Sequence, residues 1–462
     1  EKLGLDSVHR ENDFVEFNRE ALIPHAVSTE GPALAVGDVN GDGLEDVYQG
    51  GARRQAGILN LQQPDGRFLP SVQPAFLQDS IWEDVDAAFF DADGDGDLDL
   101  FVASGGNEYN LGDAPTLPRL YLNDGKGNFE RSLQALPKEV ALTASSIAVN
   151  DFDNDGDMDL FLGARATPWR YGEVPRSFLL RNNGKGLFED ATDKAAPGLA
   201  RIGFVKDAVW ADFNGDRQAD LLLACEWSAP RLLLNEKGKL NLLSDQQTGL
   251  GKHYGWWNTV ITGDFDGDGD LDFIGGNLGR NTRLTASEKH PLTMYYEDFD
   301  DNGQPEQLLC YYYAGEMRLF ATRDEIVKQL VSVKKKYLKH ADFARAGLND
   351  IFSKQQLRKA QKYVAHTLDS YYFENEGNGK FKPAALPADA QMAPIMAGFV
   401  GDFNADKRAD AVLLGNFYEC NIQMGRYDAS YGALLLNKGA GTWAMPPMAQ
   451  SGLALTDRKS VV

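Results

Sequence analysis

One nine-residue pattern, Asp-x-Asp/Asn-x-Asp/Asn-Gly-x-x-Asp/Glu, occurs in seven copies along this 462-residue chain, and it constrains the fold more than any other feature. The copies start at Asp38, Asp91, Asp151, Asp212, Asp264, Asp298 and Asp402. Repetition at intervals of tens of residues means that one supersecondary unit is used many times, so the chain is read as a repeat fold before it is divided into domains. Oxygen ligands at positions 1, 3 and 5, a main-chain carbonyl at 7, a carboxylate at 9 and a turn glycine at 6 make a cage for a hard cation.

The ligand sets expected from this pattern are Asp38, Asn40, Asp42, Leu44 and Asp46; Asp91, Asp93, Asp95, Asp97 and Asp99; Asp151, Asp153, Asp155, Asp157 and Asp159; and Asp212, Asn214, Asp216, Gln218 and Asp220. The remaining sets are Asp264, Asp266, Asp268, Asp270 and Asp272; Asp298, Asp300, Asn302, Gln304 and Glu306; and Asp402, Asn404, Asp406, Arg408 and Asp410. Calcium suits such an all-oxygen cage. Magnesium prefers fewer carboxylates plus water, and zinc wants His or Cys, which the loops lack. The loops hold 29 acidic and three basic residues, a net −26 within a chain of −22, so the other residues carry +4. Like charges packed this closely repel unless a cation joins them; the bland alternative is a set of acidic turns without an ion. Loops with Gly43, Gly96, Gly156 and Gly269 at position 6 should bind best, and the Asp298 loop, with Gly303 and Glu306, should bind acceptably. Arg217 and Lys407 replace that glycine in the loops at Asp212 and Asp402, which should be weaker or vacant, so about five bound calcium ions are expected.

The flanks are β-type: AAFF before and LDLFVAS after the Asp91 loop, SIAV and MDLFLGA around Asp151, NTVITG and LDFIGG around Asp264. An EF-hand would place helices there. A second hairpin signal alternates with the loops, as in RLYLNDGKGNFE from Arg119, SFLLRNNGKGLFED from Ser177, RLLLNEKGKLNLL from Arg231, SYYFENEGNGKFKP from Ser370 and ALLLNKGAGTW from Ala433. Two hairpins make a four-stranded unit, and repeated units close most naturally into an all-β propeller. Loop starts are separated by 53, 60, 61, 52, 34 and 104 residues. Seven blades are favoured, with LTMYYEDFDDNG as an inner hairpin; LTMYYEDFDDNGQPEQLLCYYY as an outer hairpin of the fifth blade, and six or eight blades, stay open.

This reading divides the chain into residues 1–32, with VEFNREALIPHAV as a possible ring-closing strand; 33–320, the first blades; 321–369, a basic helical insertion; 370–445, the rest of the propeller; and 446–462, a tail ending TDRKSVV with no readable role. The insertion reads as two or three helices, with Ile326, Val327, Leu330, Tyr337, Phe343, Leu348, Ile351 and Phe352 at helical spacing. From Arg323 to Lys362 it holds 11 basic and four acidic residues, which suits either a solvated cap or a dock for an acidic partner.

The alternation of D-x-D-x-D-G-x-x-D hairpins with L-x-N-x-G-x-G-x-F hairpins resembles the FG-GAP/VCBS repeats of integrin α-subunit propellers. STEGPALAVGDVNGDGLEDVYQGG, EDVDAAFFDADGDGDLDLFVASGGNEY and GRYDAS are more similar to bacterial relatives of cartilage acidic protein and the ASPIC/UnbV group. The resemblance runs from about Pro32 to Trp443. It implies a calcium-bearing propeller used for extracellular binding or adhesion, without a shared ligand.

The residues themselves point the same way. A pI near 4.7 disfavours nucleic acid, and no run of about 18 apolar residues could span a membrane. Cys225, Cys310 and Cys420 have neither disulfide nor zinc spacing. GxSxG, HExxH and GxxxxGK are absent, and the six histidines, His9, His25, His253, His290, His340 and His366, are scattered. The ions are therefore expected to brace turns, and extracellular-type affinities would fill them outside cells. Long loops carrying Arg53, Arg54, Arg165, Arg170, Arg280 and Arg426 could recognise an acidic protein or glycan. A polysaccharide lyase is the alternative, if Tyr109, Tyr171, Tyr427 or His253 met those arginines in one pocket. In GKHYGWWN, Tyr254, Trp256 and Trp257 are read as inter-blade core or as a sugar-stacking cluster. A structural subunit of a surface assembly is a further reading. The chain opens at Glu1 without an apolar leader, which reads as a segment whose targeting signal has been removed. With no Asn-x-Ser/Thr sequon, an extracellular or cell-surface bacterial protein is the easier reading.

Overall fold

The computed structural model describes residues 3–5 and 7–454. Its strands form seven antiparallel sheets, one for each metal-type loop; six are four-stranded, and the fourth gains a fifth strand where Gly255–Trp256 pairs with Asp220–Ser228. The first sheet uses Leu34–Gly37, Asp46–Gln49, Ile58–Gln62 and Phe68–Ser71; the second uses Asp84–Phe90, Asp99–Ser104, Arg119–Asn123 and Phe129–Ser132. The third runs from Thr143–Asn150 to Phe188–Asp190, the fourth from Phe204–Ala211 to Leu240–Leu242, and the seventh from Ala397–Gly401 to Trp443–Ala444. In each, the loop joins the first strand to the second, so all loops of this kind lie at one end of the sheets and the longer connections at the other.

The second strand of each sheet opens with the position-9 carboxylate and then runs apolar in its middle, because both of its faces are covered there. Leu100 and Val102 pack with Tyr48 and Leu59 of the first sheet, whereas Phe101 and Ala103, pointing the other way, pack with Leu160, Leu162 and Phe178 of the third. The alternation continues with Phe161 against Leu221 and Leu223, Leu222 and Ala224 against Phe273, and Ile274 against Leu413. Each buried Leu or Phe of this kind contributes about 1.5–3 kcal/mol. The innermost strands of the first, second, third, fourth, fifth and seventh sheets touch in that order.

A repeated polar bond accompanies this packing. The Asn ending the third strand donates its side-chain N–H to the position-2 carbonyl in the loop of the sheet packed before it: Asn123 to Val39, Asn182 to Ala92, Asn235 to Phe152, Asn375 to Phe213 and, from the seventh sheet to the fifth, Asn437 to Phe265. In the first sheet that place is taken by Gln62, whose side-chain carbonyl instead accepts from Glu45. Position-2 residues of the other loops are buried, but Phe403 of the seventh sheet is 43% exposed.

The Asp298 unit departs from the expected plan. The fifth sheet pairs Thr259–Gly263 and Asp272–Gly276 with Tyr371–Asn375 and Phe381–Ala385, so SYYFENEGNGKFKP completes it. The sixth sheet, Leu292–Glu297, Glu306–Tyr313, Glu316–Leu319 and Gln361–Ala365, is nested inside the fifth, and LTMYYEDFDDNGQPEQLLCYYY is not the fifth sheet's outer hairpin. Its Gln361–Ala365 strand packs on the fourth sheet, against Asp220–Ser228 and the short Gly255–Trp256 strand. The helical insertion is correspondingly shorter than 321–369 and comprises five short helices between Arg323 and Lys359. Capping boxes at Thr322 and Ser353 start two of them. Ile326, Leu330, Phe343, Leu348 and Phe352 pack on Leu308 and Cys310 of the nested sheet, not on a neighbouring blade.

VEFNREALIPHAV forms no strand. It makes a 3-10 turn at Glu16–Asn18 and one bridge from His25 to Cys420, in the connection between the second and third strands of the seventh sheet. Carboxylates explain this: Glu16 accepts from the Val27 and Ser28 N–H groups and Glu20 from the Tyr171 N–H and the Gln307 amide, so the segment folds over the long-loop end instead of extending along an edge. Cys225, Cys310 and Cys420 are free thiols. The tail forms a short helix at Met448–Ser451, and its last residues, 455–462, lie outside the described residues.

Candidate metal loops and loop-end clefts

The seven loops share one hydrogen-bond framework. The position-1 carboxylate accepts from the position-6 N–H, as Asp91 does from Gly96, Asp212 from Arg217 and Asp402 from Lys407. The position-5 side chain accepts from the position-7 N–H, as in Asp95 from Asp97, Asp155 from Asp157 and Asn302 from Gln304. The position-9 carboxylate accepts from position 2 and, outside the nested sheet, from the end of the third strand; Asp159 receives Phe152 and Asn182 in this way. Residues 4 and 6 both have positive φ, which Gly94 and Gly96 adopt without cost, whereas Arg217 (69°) and Lys407 (68°) are strained there. The position-4 requirement is legible in the sequence only as an excess of Gly, Asn and Asp at that place.

Carboxylate oxygens of positions 1, 3 and 9 come within 4.8 Å of one another in four loops: Asp91, Asp93 and Asp99; Asp151, Asp153 and Asp159; Asp264, Asp266 and Asp272; Asp298, Asp300 and Glu306. The loops at Asp38, Asp212 and Asp402 carry Asn40, Asn214 and Asn404 at position 3 and so bring one carboxylate fewer. Asp93 Oδ1, Asp153 Oδ1 and Glu306 Oε1 are buried without a hydrogen-bond donor. Buried acceptors of this sort are costly unless something positive meets them, so the donor set fits a hard cation. Burial pushes Asp99, Asp220 and Asp272 up to about 6 and Asp159 and Glu306 up to about 7, with neighbouring loop carboxylates adding to the effect.

The arginines and tyrosines expected on one face do not converge in one open pocket, although Arg165 and Tyr171 share Glu226. Arg165, fully buried, lies between Glu226 (2.8 and 2.9 Å) and Glu30 (3.3 Å), and Lys206 closes on Glu30 at 2.7 Å. Tyr171 donates its hydroxyl to Glu226 at 2.7 Å, and the Trp227 indole donates to Tyr171. Although burial opposes it, Arg165 and His25 hold the Glu226 carboxyl well below the usual range. This group is a sealed strut. Arg53 lies over the Tyr109 ring, Arg170 pairs with Glu173, Arg426 lies over Tyr418, and Tyr427 bonds Thr282.

Two clefts open at the long-loop end. One, of about 750 Å³, is lined by Arg10, Glu11, Asn12, Arg53 and Arg54. The other, of about 580 Å³, gathers Lys252, His253, Arg280, His366, Asp369 and Tyr371. Arg280 grips Asp369 at 2.8 and 2.5 Å. His253 Nδ1 and His366 Nδ1 are buried without partners, and burial lowers the His253 pKa. Trp256 and Trp257 are core residues, and Tyr254 hydrogen-bonds Asp245 at 2.6 Å, so GKHYGWWN offers no open stack of indoles.

The FG-GAP-like repeat matches residues 38–102, 91–162 and 212–275. Cartilage acidic protein 1 of Xenopus tropicalis is 23% identical over 283 residues, covering 54% of this chain and 40% of that relative. Among solved structures, the V. cholerae biofilm matrix protein Bap1 is similar over 92% of this chain and 80% of its own, at 12% identity and a TM-score of 0.32. The Dos1 propeller matches 53% of each chain, at 12% identity and 0.30. A thermostable family-43 glycoside hydrolase matches 64% of this chain and 95% of its own, at 8% identity and 0.29. Structural likeness at these scores carries no functional weight.

Proposed function

We propose that this chain, built on FG-GAP-like repeats, is a calcium-braced propeller module that works outside the cytoplasm and binds a protein or an acidic glycan through its long-loop end. The observation that carries the reading is the shared loop geometry: position-1, -3 and -9 carboxylates converge in four loops, and buried oxygens there lack a donor. Each loop is part of a sheet, and outside the nested sheet each position-9 carboxylate ties its own strand to the end of the third, so an ion bound there would tie strands together. Calcium would supply the charge compensation; Asp91, Asp93 and Asp99 and their counterparts would hold it. A site about a hundredfold tighter than ambient calcium adds roughly 2.7 kcal/mol to stability.

Ligand binding is assigned to the cleft at Lys252, His253 and His366, where an ammonium group and two imidazoles line the wall and suit an acidic ligand. Polygalacturonate and alginate are suitable probes. The reading expects retardation of the calcium-loaded protein in a gel containing either polymer, relieved in Lys252→Ala/His253→Ala, with no rise in ultraviolet absorbance from unsaturated sugar. Absorbance growth would make the protein a lyase instead; no retardation by any acidic polymer would remove the glycan part of the reading.

A further inference from the structure

A set of ligating groups stands apart from the seven loops, at the long-loop end. His9, Glu11 and Glu83 each bring one ligand atom to within 4.8 Å of the others. The His9 Nε2 and Glu11 Oε1 atoms are 3.0 Å apart. His9 Nδ1 faces the Gly50 carbonyl at 3.4 Å, which directs a proton to Nδ1 and leaves the Nε2 lone pair toward the carboxylates. A side chain at Gly31 would lie 2.9 Å from His9 Cε1, so the glycine allows the ring to sit where it does.

Glu83 supplies the independent observation. It is 3% exposed; one oxygen accepts the Arg53 N–H at 2.7 Å, and the other, Oε1, is buried with no donor. Nearby cations are committed elsewhere: the Arg53 guanidinium faces Glu108 at 3.6 Å, and Arg119 binds Asp84 at 2.5 Å. A buried carboxylate without a counter-charge, aimed at a second carboxylate and an imidazole, lacks a cation.

We propose that His9, Glu11 and Glu83 bind one divalent first-row transition-metal ion of the zinc type, at a site distinct from the loops. One imidazole nitrogen and two carboxylates form a borderline donor set, which suits zinc or cobalt and gives calcium too few oxygens. Glu11 lines the 750 Å³ cleft, so the ion is reachable from solvent, with Arg53 and Arg54 beside it. Such a pairing of metal and guanidinium would receive an anionic group.

The test uses the whole chain with its loops saturated by calcium, titrated with Zn2+ in competition with a chromogenic chelator. One calcium-resistant equivalent is expected, weakened about tenfold or more in His9→Ala and in Glu83→Gln. Co2+ in the same place should show the visible absorption of a nitrogen-ligated ion, lost in His9→Ala. Glu11→Gln, at a partly exposed position, guards against a folding defect: it should weaken Zn2+ while the near-ultraviolet circular dichroism is unchanged. Absence of a calcium-resistant equivalent, or equal affinity in wild type, His9→Ala and Glu11→Gln, would overturn the proposal and leave His9 and Glu11 as an ordinary ion pair.

Discussion

Asn235→Ala tests the bond that links neighbouring sheets. Asn235 is 1% exposed and donates to the Phe152 carbonyl at 2.8 Å and to the Ala219 carbonyl at 3.2 Å, while its own oxygen accepts from Gly238 at 3.0 Å. Truncation deletes these bonds and strands the buried Phe152 acceptor, which belongs to the Asp151 loop. With about 1 kcal/mol for a neutral bond and roughly 1–3 kcal/mol for an orphaned buried group, the loss should be about 2–4 kcal/mol. Urea unfolding followed by tryptophan fluorescence measures it, with the midpoint falling and the slope unchanged. Gln62→Ala is the internal control: Gln62 holds the equivalent place but its side chain makes no bond to another sheet's loop, so its loss should stay within about 0.5–1 kcal/mol. Equal effects of Asn235→Ala and Gln62→Ala would refute the idea that these asparagines join sheets.

Three further outcomes are expected. Arg217→Gly and Lys407→Gly relieve left-handed strain at φ of 69° and 68°, so each should stabilise the protein by about 1 kcal/mol and raise calcium affinity, read by thermal unfolding and calorimetry. Arg165→Met removes the guanidinium shared by Glu30 and Glu226 in a buried site, leaving Lys206 on the one and His25 on the other, and should cost about 3–5 kcal/mol in urea unfolding. The third concerns pH: Asp99 is raised to about 6 and Asp159 and Glu306 to about 7, so protonation favours the folded form. That stability is fully present below the ordinary carboxylate value near 4 and is lost as pH rises through about 6–7. Calcium-free protein should therefore melt lower at neutral pH than at about pH 5, and the calcium-induced rise in melting temperature should grow over that interval; a rise independent of pH would contradict this.

Local pattern made much of this fold legible. AAFF and LDLFVAS became Asp84–Phe90 and Asp99–Ser104, and the Asn-Gly hairpins became the outer strands, because turn chemistry and alternation act over a few residues. Pairing across long separations was not legible. Nothing local to Tyr371–Asn375 shows that it joins Asp272–Gly276 across an intervening sheet, and both hairpins carry the same apolar alternation. Ile23 and Val27 read as strand residues, yet they are plugs held by Glu16 and Glu20, and Glu20's partners Tyr171 and Gln307 are far away in sequence. Arg165 read as a surface ligand for the same reason, since Glu30 and Glu226 approach it only after folding. The recurring Asn of the L-x-N hairpins was visible as a pattern, but its acceptor lies in the preceding unit.

Calcium titration of chelator-stripped protein, with heat of binding and melting temperature recorded on the same sample, bears most directly on the metal-braced account. It should show about five equivalents in all. Melting temperature should rise as they bind, and Asp93→Ala, which removes one carboxylate of the Asp91 loop, should abolish one equivalent. Unchanged melting with no stoichiometric heat, or full stoichiometry in Asp93→Ala, would show that these loops are acidic turns and not metal sites.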